Sequence, residues 1–257
     1  MKVVILCGGL GTRLREETEF RPKPMVEIGG RPILWHLMKI FGHHDLKDFV
    51  LCLGYKGNLI KEYFLNYEAM NKDFTVQLGA RATLTYQGEH DEQDYTVTLA
   101  DTGALALTGA RIKRVARHLD GPFMVTYGDG LADVDLARLL AFHASHGRLA
   151  TVTTVHMPGR FGVLDTSEEG RVERFREKPT HDAWVSAGFF VFERGVLDYL
   201  SDEESCTLER EPLERLVADG QLMAYRHPGA FFPMDTLRDH QALNDLWNSG
   251  KAPWKVW

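Results

Sequence analysis

The chain has 257 residues, 44% hydrophobic and 26% charged, with a formal net charge of -6 and three cysteines. That length can bury a core without staples, and an acidic balance with no basic tail argues against a general nucleic-acid or anionic-membrane binder. Cys7, Cys52 and Cys206 show no C-x-x-C spacing and no apolar run reaches bilayer length, so a soluble cytoplasmic protein is expected.

Val3 to Cys7 is a continuous apolar, β-branched run, the pattern of a parallel strand buried on both faces, and Gly8-Gly9-Leu10-Gly11 ends it abruptly. Residues 32–41 begin with a helix-compatible proline and repeat apolar side chains at helical spacing, which predicts a helix closed by Gly42. Asp48 to Leu53 reads as a second buried strand, and Gly54-Tyr55-Lys56-Gly57 leads into an amphipathic segment from Asn58 to Tyr67. This β-α-β-α rhythm predicts an α/β fold with a mainly parallel sheet. Residues 74–100 alternate as strands do, interrupted by a polar loop from Gln87 to Asp94. A helix is expected from Thr108 to His118, then a strand from Phe123 to Tyr127 that stops at Gly128-Asp129-Gly130. A capped helix from Asp133 to His146 and a strand from Thr151 to Val155 follow. The rhythm then shortens: strands at 161–165, 171–176 and 184–192, a helix near 209–219, strands near 222–226 and 231–234, and a last helix from Thr236 to Asn248. With no repeat and no linker, the reading is one domain over residues 1–257 with a small C-terminal strand and helix substructure.

The strongest chemical signal is Gly8-Gly9-Leu10-Gly11-Thr12-Arg13 followed by Arg21-Pro22-Lys23-Pro24-Met25. Glycines after a buried strand let backbone N–H groups approach a phosphate, and Arg13 and Lys23 bring cations to the same anion. The dinucleotide fingerprint fails at Leu14, and the Gly-Lys-Ser/Thr of a P-loop is missing. Asp129, between two glycines beyond a strand's carboxyl end, is a candidate Mg2+ ligand against nucleotide phosphates. Asp133 and Asp135 suit helix capping better. For Asp235, after Phe231-Phe232-Pro233-Met234, metal ligation and N-capping compete evenly. In Glu177-Lys178-Pro179 the proline holds Lys178 extended, where it could meet a second anion while Glu177 accepts sugar hydroxyls. A salt-bridged turn is the competing reading. Nucleophilic catalysis finds no support, since no Ser or Cys stands in an elbow context. The C-terminal Trp247, Trp254 and Trp257 suit packing or a subunit contact.

Taken together, Gly-Gly-x-Gly-Thr-Arg-Leu at 8–14, Pro-Lys-Pro-Met at 22–25, Gly-Asp-Gly at 128–130 and Glu-Lys-Pro at 177–179 resemble the sugar-1-phosphate nucleotidyltransferases. The resemblance runs the length of the chain. Segments such as Gly54-Tyr55-Lys56-Gly57, Pro158-Gly159-Arg160-Phe161-Gly162 and Met234-Asp235-Thr236-Leu237-Arg238-Asp239 are similar to the branch that uses CTP. It implies a Rossmann-like, GT-A-like sheet flanked by helices, with residues 1–130 mainly binding nucleotide and 131–257 mainly binding sugar phosphate. It also implies a Mg2+-dependent transfer of a cytidylyl group from CTP to glucose 1-phosphate, giving CDP-glucose and pyrophosphate, at the first step of dideoxysugar synthesis for bacterial surface polysaccharide. A homo-oligomer is implied as well, with no nucleic-acid or membrane partner. By the same resemblance, Gly8, Gly9, Gly11, Thr12 and Arg13 would hold the β and γ phosphates, and Lys23 the α-phosphate. Thr108 and Arg111 would face the base, Glu177, Lys178 and Gly188 the sugar phosphate, and Asp129 and Asp235 the metal. One position departs from the family: Ser186-Ala187-Gly188 stands where members carry Asn-Gly-Gly, which removes an amide from the sugar pocket and adds a methyl that could crowd it. A different sugar 1-phosphate, or a non-catalytic nucleotide-binding regulator, are the alternatives.

Overall fold

The computed structural model describes residues 1–79, 83–158, 163–167, 171–176 and 180–257. Seven strands form the main sheet: β1 (Lys2–Cys7), β2 (Asp48–Leu53), β3 (Thr96–Asp101), β4 (Phe123–Tyr127), β5 (Ala150–Pro158), β6 (Thr180–Phe192) and β7 (Leu222–Arg226). Their order is β7-β5-β6-β4-β1-β2-β3. Pairings β1–β2, β1–β4, β2–β3 and β5–β7 are parallel, whereas β6 runs antiparallel to both of its neighbours, β5 and β4. The sheet is therefore mainly parallel, with one reversed strand that the sequence pattern does not announce.

The unbroken apolar run of β1 follows from burial on both faces. Val3, Ile5 and Cys7 join one core with Phe49 and Leu51 of β2, and Val4 and Leu6 join a second core with Val50 and Cys52. Helices α1 (Ile33–His43), α2 (Gly57–Leu65), α3 (Thr108–Arg114), α4 (Leu136–His146), α5 (Glu211–Ala218) and α6 (Leu237–Asn248) cover the two faces. The first core takes Ile33, Leu37 and Phe41 of α1, Ile60 of α2, Leu136 and Leu139 of α4 and Leu243 of α6; the second takes Ile112 of α3 and Leu216 of α5.

Several boundaries differ from the expected ones for identifiable reasons. Gly42 lies inside α1, where a Cβ would collide with the Tyr95 hydroxyl at 1.8 Å, and the left-handed residue after the helix is Asp45. Tertiary packing, not a glycine stop, sets that end. The segment from Thr108 to His118 divides into α3 and a 3-10 turn at Ala116–His118. Asp135 is the N-cap of α4, accepting from Arg138 N, while Asp133 accepts from His227 and from Ala230 N. The 74–100 stretch holds a hairpin, Asp73–Gln77 with Thr83–Gln87, before β3. Trp254 is fully buried, and Trp247 and Trp257 pack edge-on or tilted around His36, so the C-terminal tryptophans serve packing within the chain. Among the described residues no helix is long and apolar enough to cross a membrane.

Candidate active site

Because β1 and β4 are parallel neighbours, their glycine turns emerge side by side at the carboxyl edge of the sheet. Gly128 N donates to Leu6 O at 3.0 Å, extending the pairing one step beyond the strands. In open α/β sheets this edge is where ligands lie. A cavity of about 290 Å³ opens there, lined by Gly8, Gly9, Gly11, Thr12, Arg13, Lys23, Thr108, Arg111 and Asp129 of the residues singled out from sequence. Nine candidates drawn from separate segments thus share one cavity.

Lys23 follows Pro22 in a 3-10 turn, Lys23–Met25, closed by Met25 N donating to Pro22 O at 2.8 Å. Its ammonium lies 2.6 Å from Asp129 Oδ2 and 2.9 Å from Asp235 Oδ1. Arg13 Nη1 reaches the other oxygen of Asp235 at 3.1 Å. Burial alone would lower the Lys23 pKa, but the two carboxylates outweigh it and hold it above the ordinary lysine value. Asp235 arrives by a long-range pairing: Phe231–Pro233 runs antiparallel to Gly130–Ala132, and Met234 N donates to Asp129 O at 2.9 Å. The N-cap of α6 is Thr236, in a capping box with Asp239, so Asp235 is not the cap.

Asp129 and Asp235 form a pair of hard oxygen donors already gathered around one cation. Among the described residues no cluster of three or more His, Cys, Asp or Glu assembles as a metal set. Two carboxylates with the remaining positions left to water and phosphate is how Mg2+ is usually held, so the donor set fits that ion.

Arg111 is 4% exposed and lies between Gly8 and Gly54, at either of which a Cβ would overlap its guanidinium. Nη1 donates to Leu53 O, Thr102 Oγ1 and Gly103 O, and Nη2 to Gly8 O and Ala104 O, at 2.8–3.3 Å. It ties together the end of β2 and the turns that follow β1 and β3. Thr108 Oγ1 accepts from Leu208 N and donates to Glu209 Oε2 at 2.6 Å. Tyr127, also on the cavity wall, donates to the other oxygen of Glu209, and burial followed by that carboxylate raises its pKa. Tyr127, on the wall, and its partner Glu209 are residues that sequence reasoning passed over; Glu209 sits in an exposed charged stretch with no pattern to mark it. Cys7 lines the cavity too, but burial pushes its thiol well above the ordinary value, the opposite of nucleophile activation.

Gly188, with φ 74°, occupies a backbone region open to glycine, and a Cβ there would lie 2.3 Å from the Tyr127 ring. Ser186 Oγ accepts from Gly188 N at 3.2 Å. Ala187 is 2% exposed and belongs to the core with Phe189, so its methyl points away from the cleft and the crowding expected from it does not arise. Glu177 and Lys178 lie outside the described residues, as does most of the Pro158-Gly159-Arg160-Phe161-Gly162 segment.

Residues 2–245 match the family described as Nucleotidyl transferase. The chain is 51% identical over 260 residues, the full length of both, to "Glucose-1-phosphate cytidylyltransferase" of Salmonella typhi, and 42% identical, again at full length, to "Probable glucose-1-phosphate cytidylyltransferase" of Bacillus subtilis. A solved structure, HddC from Yersinia pseudotuberculosis, superposes with a TM-score of 0.67 over 96% of this chain and 99% of that one at 22% identity, a likeness of fold.

Proposed function

The chain belongs to the nucleotidyl transferase family, and from that premise we propose that it transfers a cytidylyl group from CTP to α-D-glucose 1-phosphate, giving CDP-glucose and pyrophosphate. The observation that carries the reading is the Lys23 ammonium bridging Asp129 and Asp235, with Lys23 and Asp129 on the wall of the cleft that the glycine turn also lines. The full-length likeness to two cytidylyltransferases supports the nucleotide and the sugar.

The reaction is an in-line displacement: a sugar-phosphate oxygen bonds to the α-phosphorus of CTP as the bond to the β-phosphate oxygen breaks, and pyrophosphate carries away the electron pair. A phosphate monoester is mostly dianionic at neutral pH, so no general base is required. The protein's work is to hold two anions together while charge develops. Backbone amides of Gly8, Gly9 and Gly11, with Thr12 and Arg13, hold the β and γ phosphates, and Lys23 takes the α-phosphate. Mg2+ held by Asp129 and Asp235 would neutralise phosphate oxygens. Thr108 and Arg111 form the wall toward the base. With the terminal nitrogens of Arg111 engaged by five protein oxygens, that residue serves the wall chiefly by fixing the turns around it. Glu177, Lys178 and Gly188 serve the sugar phosphate, so that within one domain residues 1–130, which line the cleft, mainly bind nucleotide and residues 131–257 mainly bind sugar phosphate. The setting is cytoplasmic nucleotide-sugar supply for polysaccharide. Exposed Phe74, Val76, Leu84 and Tyr86 on one hairpin support a homo-oligomer.

The test is a panel of nucleoside triphosphates and sugar 1-phosphates with Mg2+, read as pyrophosphate release. CTP with glucose 1-phosphate is expected to lead; no release with CTP and any sugar phosphate refutes the proposal. Ser186 in place of the family's Asn supports a second reading, another hexose 1-phosphate as acceptor, which the same panel separates. Lys23→Ala is expected to lose turnover by about a hundredfold or more while CTP still shifts the melting temperature, the signature of an enzyme and not of a nucleotide sensor.

A further inference from the structure

We propose that Lys23 is the resting counter-ion of Asp129 and Asp235, guarding the pair against free divalent cations until a nucleotide arrives to receive the ammonium. This rests on the reading that those two carboxylates hold the metal. The geometry places Nζ within 2.9 Å of both carboxylates, with Arg13 on the outer oxygen of Asp235. Among the described residues, two carboxylates thus already face two cations before any metal binds.

The two cations are not equivalent. Lys23 is 8% exposed on a turn stiffened by Pro22 and Pro24, whereas the Arg13 side chain is 71% exposed and is readily exchanged with water. A divalent ion approaching the pair alone meets a buried ammonium of like charge, and an ammonium displaced into the protein interior without an anion would be costly. A nucleotide removes that obstacle. Its phosphates enter the cavity that Lys23 lines together with the Gly8–Gly11 turn, so the lysine can exchange carboxylates for phosphate without losing an anionic partner. Metal and nucleotide should then bind with positive coupling, each raising the affinity for the other by the same factor.

The experiment measures Mn2+ binding by electron paramagnetic resonance on the full chain, with and without CTP. Without CTP, Lys23→Met is expected to bind Mn2+ at least about tenfold more tightly than the unmodified protein, because a like charge has left the site. Adding Asp129→Asn to that variant should abolish the gain. Lys23→Gln, a polar substitute, should reproduce it, and thermal unfolding of each variant confirms that the fold is intact. CTP should raise Mn2+ affinity strongly in the unmodified protein and much less in Lys23→Met. If the unmodified protein binds free Mn2+ as tightly as the variants, the guarding role is refuted while the metal site stands. The guarding role falls equally if neither lysine variant gains affinity although Mn2+ binds normally once CTP is present. If Asp129→Asn alone leaves Mn2+ on the protein–CTP complex unchanged, the carboxylates are not the metal site, and both readings fall.

Discussion

Arg111→Lys separates the two roles open to this residue, a clamp on the turns and a direct contact to the base. The guanidinium serves five oxygens, one at the end of β2 and four in the turns after β1 and β3. An ammonium has three donors on a single atom and cannot span that fork, so at least two of the oxygens lose their partner. At about 1.5–3 kcal/mol for each hydrogen bond to a charged group, with part recovered by water from the adjoining cavity, the loss is about 3 kcal/mol. Urea unfolding should show a lower midpoint with an unchanged slope. Because the clamp sets the backbone under the phosphates, kcat/KM should fall by a similar factor with CTP and with UTP. Stability within about 0.5 kcal/mol of the unmodified protein, the range of a neutral surface change, combined with a changed CTP-to-UTP ratio, would refute the clamp in favour of base contact.

Two further substitutions probe the packing around the site and the core. Gly188→Ala forces a side chain into positive φ and against the Tyr127 ring, and is expected to cost about 3 kcal/mol in denaturant unfolding, with loss of activity as the Tyr127 wall shifts. His36 lies buried among tryptophans with its pKa lowered by burial from 6.5 to about 4. The unfolded chain therefore binds the extra proton first: stability is intact above pH 6.5 and falls as pH drops toward 4, by about 3 kcal/mol in all. His36→Gln should flatten that part of the stability–pH profile, and a profile unchanged from the unmodified protein would show that His36 is not the group responsible.

The local half of the site was legible in the sequence, and the long-range half was not. Gly8 to Arg13, Lys23 and Asp129 stand at the ends of apolar runs or beside a turn-setting proline, so each could be placed from its neighbours alone. Asp235 could not: its choice between cap and ligand depends on Phe231–Pro233 pairing with Gly130–Ala132, two three-residue strands about a hundred positions apart whose patterns carry almost no signal. Thr236, one residue on, had the same capping chemistry within reach, which is why spacing left the alternatives even. Glu209 was invisible for a different reason. Its partners Tyr127 and Thr108 are far from it along the chain, and an exposed glutamate among charged residues looks like solvated surface. The reversed strand β6 escaped prediction because its apolar residues pack as a parallel strand's would; direction within a sheet leaves no trace in burial.

The cavity's charge balance also explains how a chain of net charge -6 can serve two polyanionic substrates. Arg13 and Lys23 are each engaged by a carboxylate, so at rest their positive field is largely cancelled, while Arg111 on the same wall is spent on neutral oxygens. On the proposed reading that field is created by exchange: as the carboxylates turn to the metal, the same two cations are released toward the nucleotide's phosphates. Affinity for the triphosphate would then depend on metal far more than on bulk charge. Substituting surface lysines elsewhere should leave the CTP requirement unchanged, whereas neutralising Asp129 should weaken CTP binding even though it removes a negative charge from the cleft. Simple charge counting predicts the reverse, and isothermal titration of CTP into Asp129→Asn in the presence of Mg2+ decides between them: tighter binding than in the unmodified protein would refute the exchange.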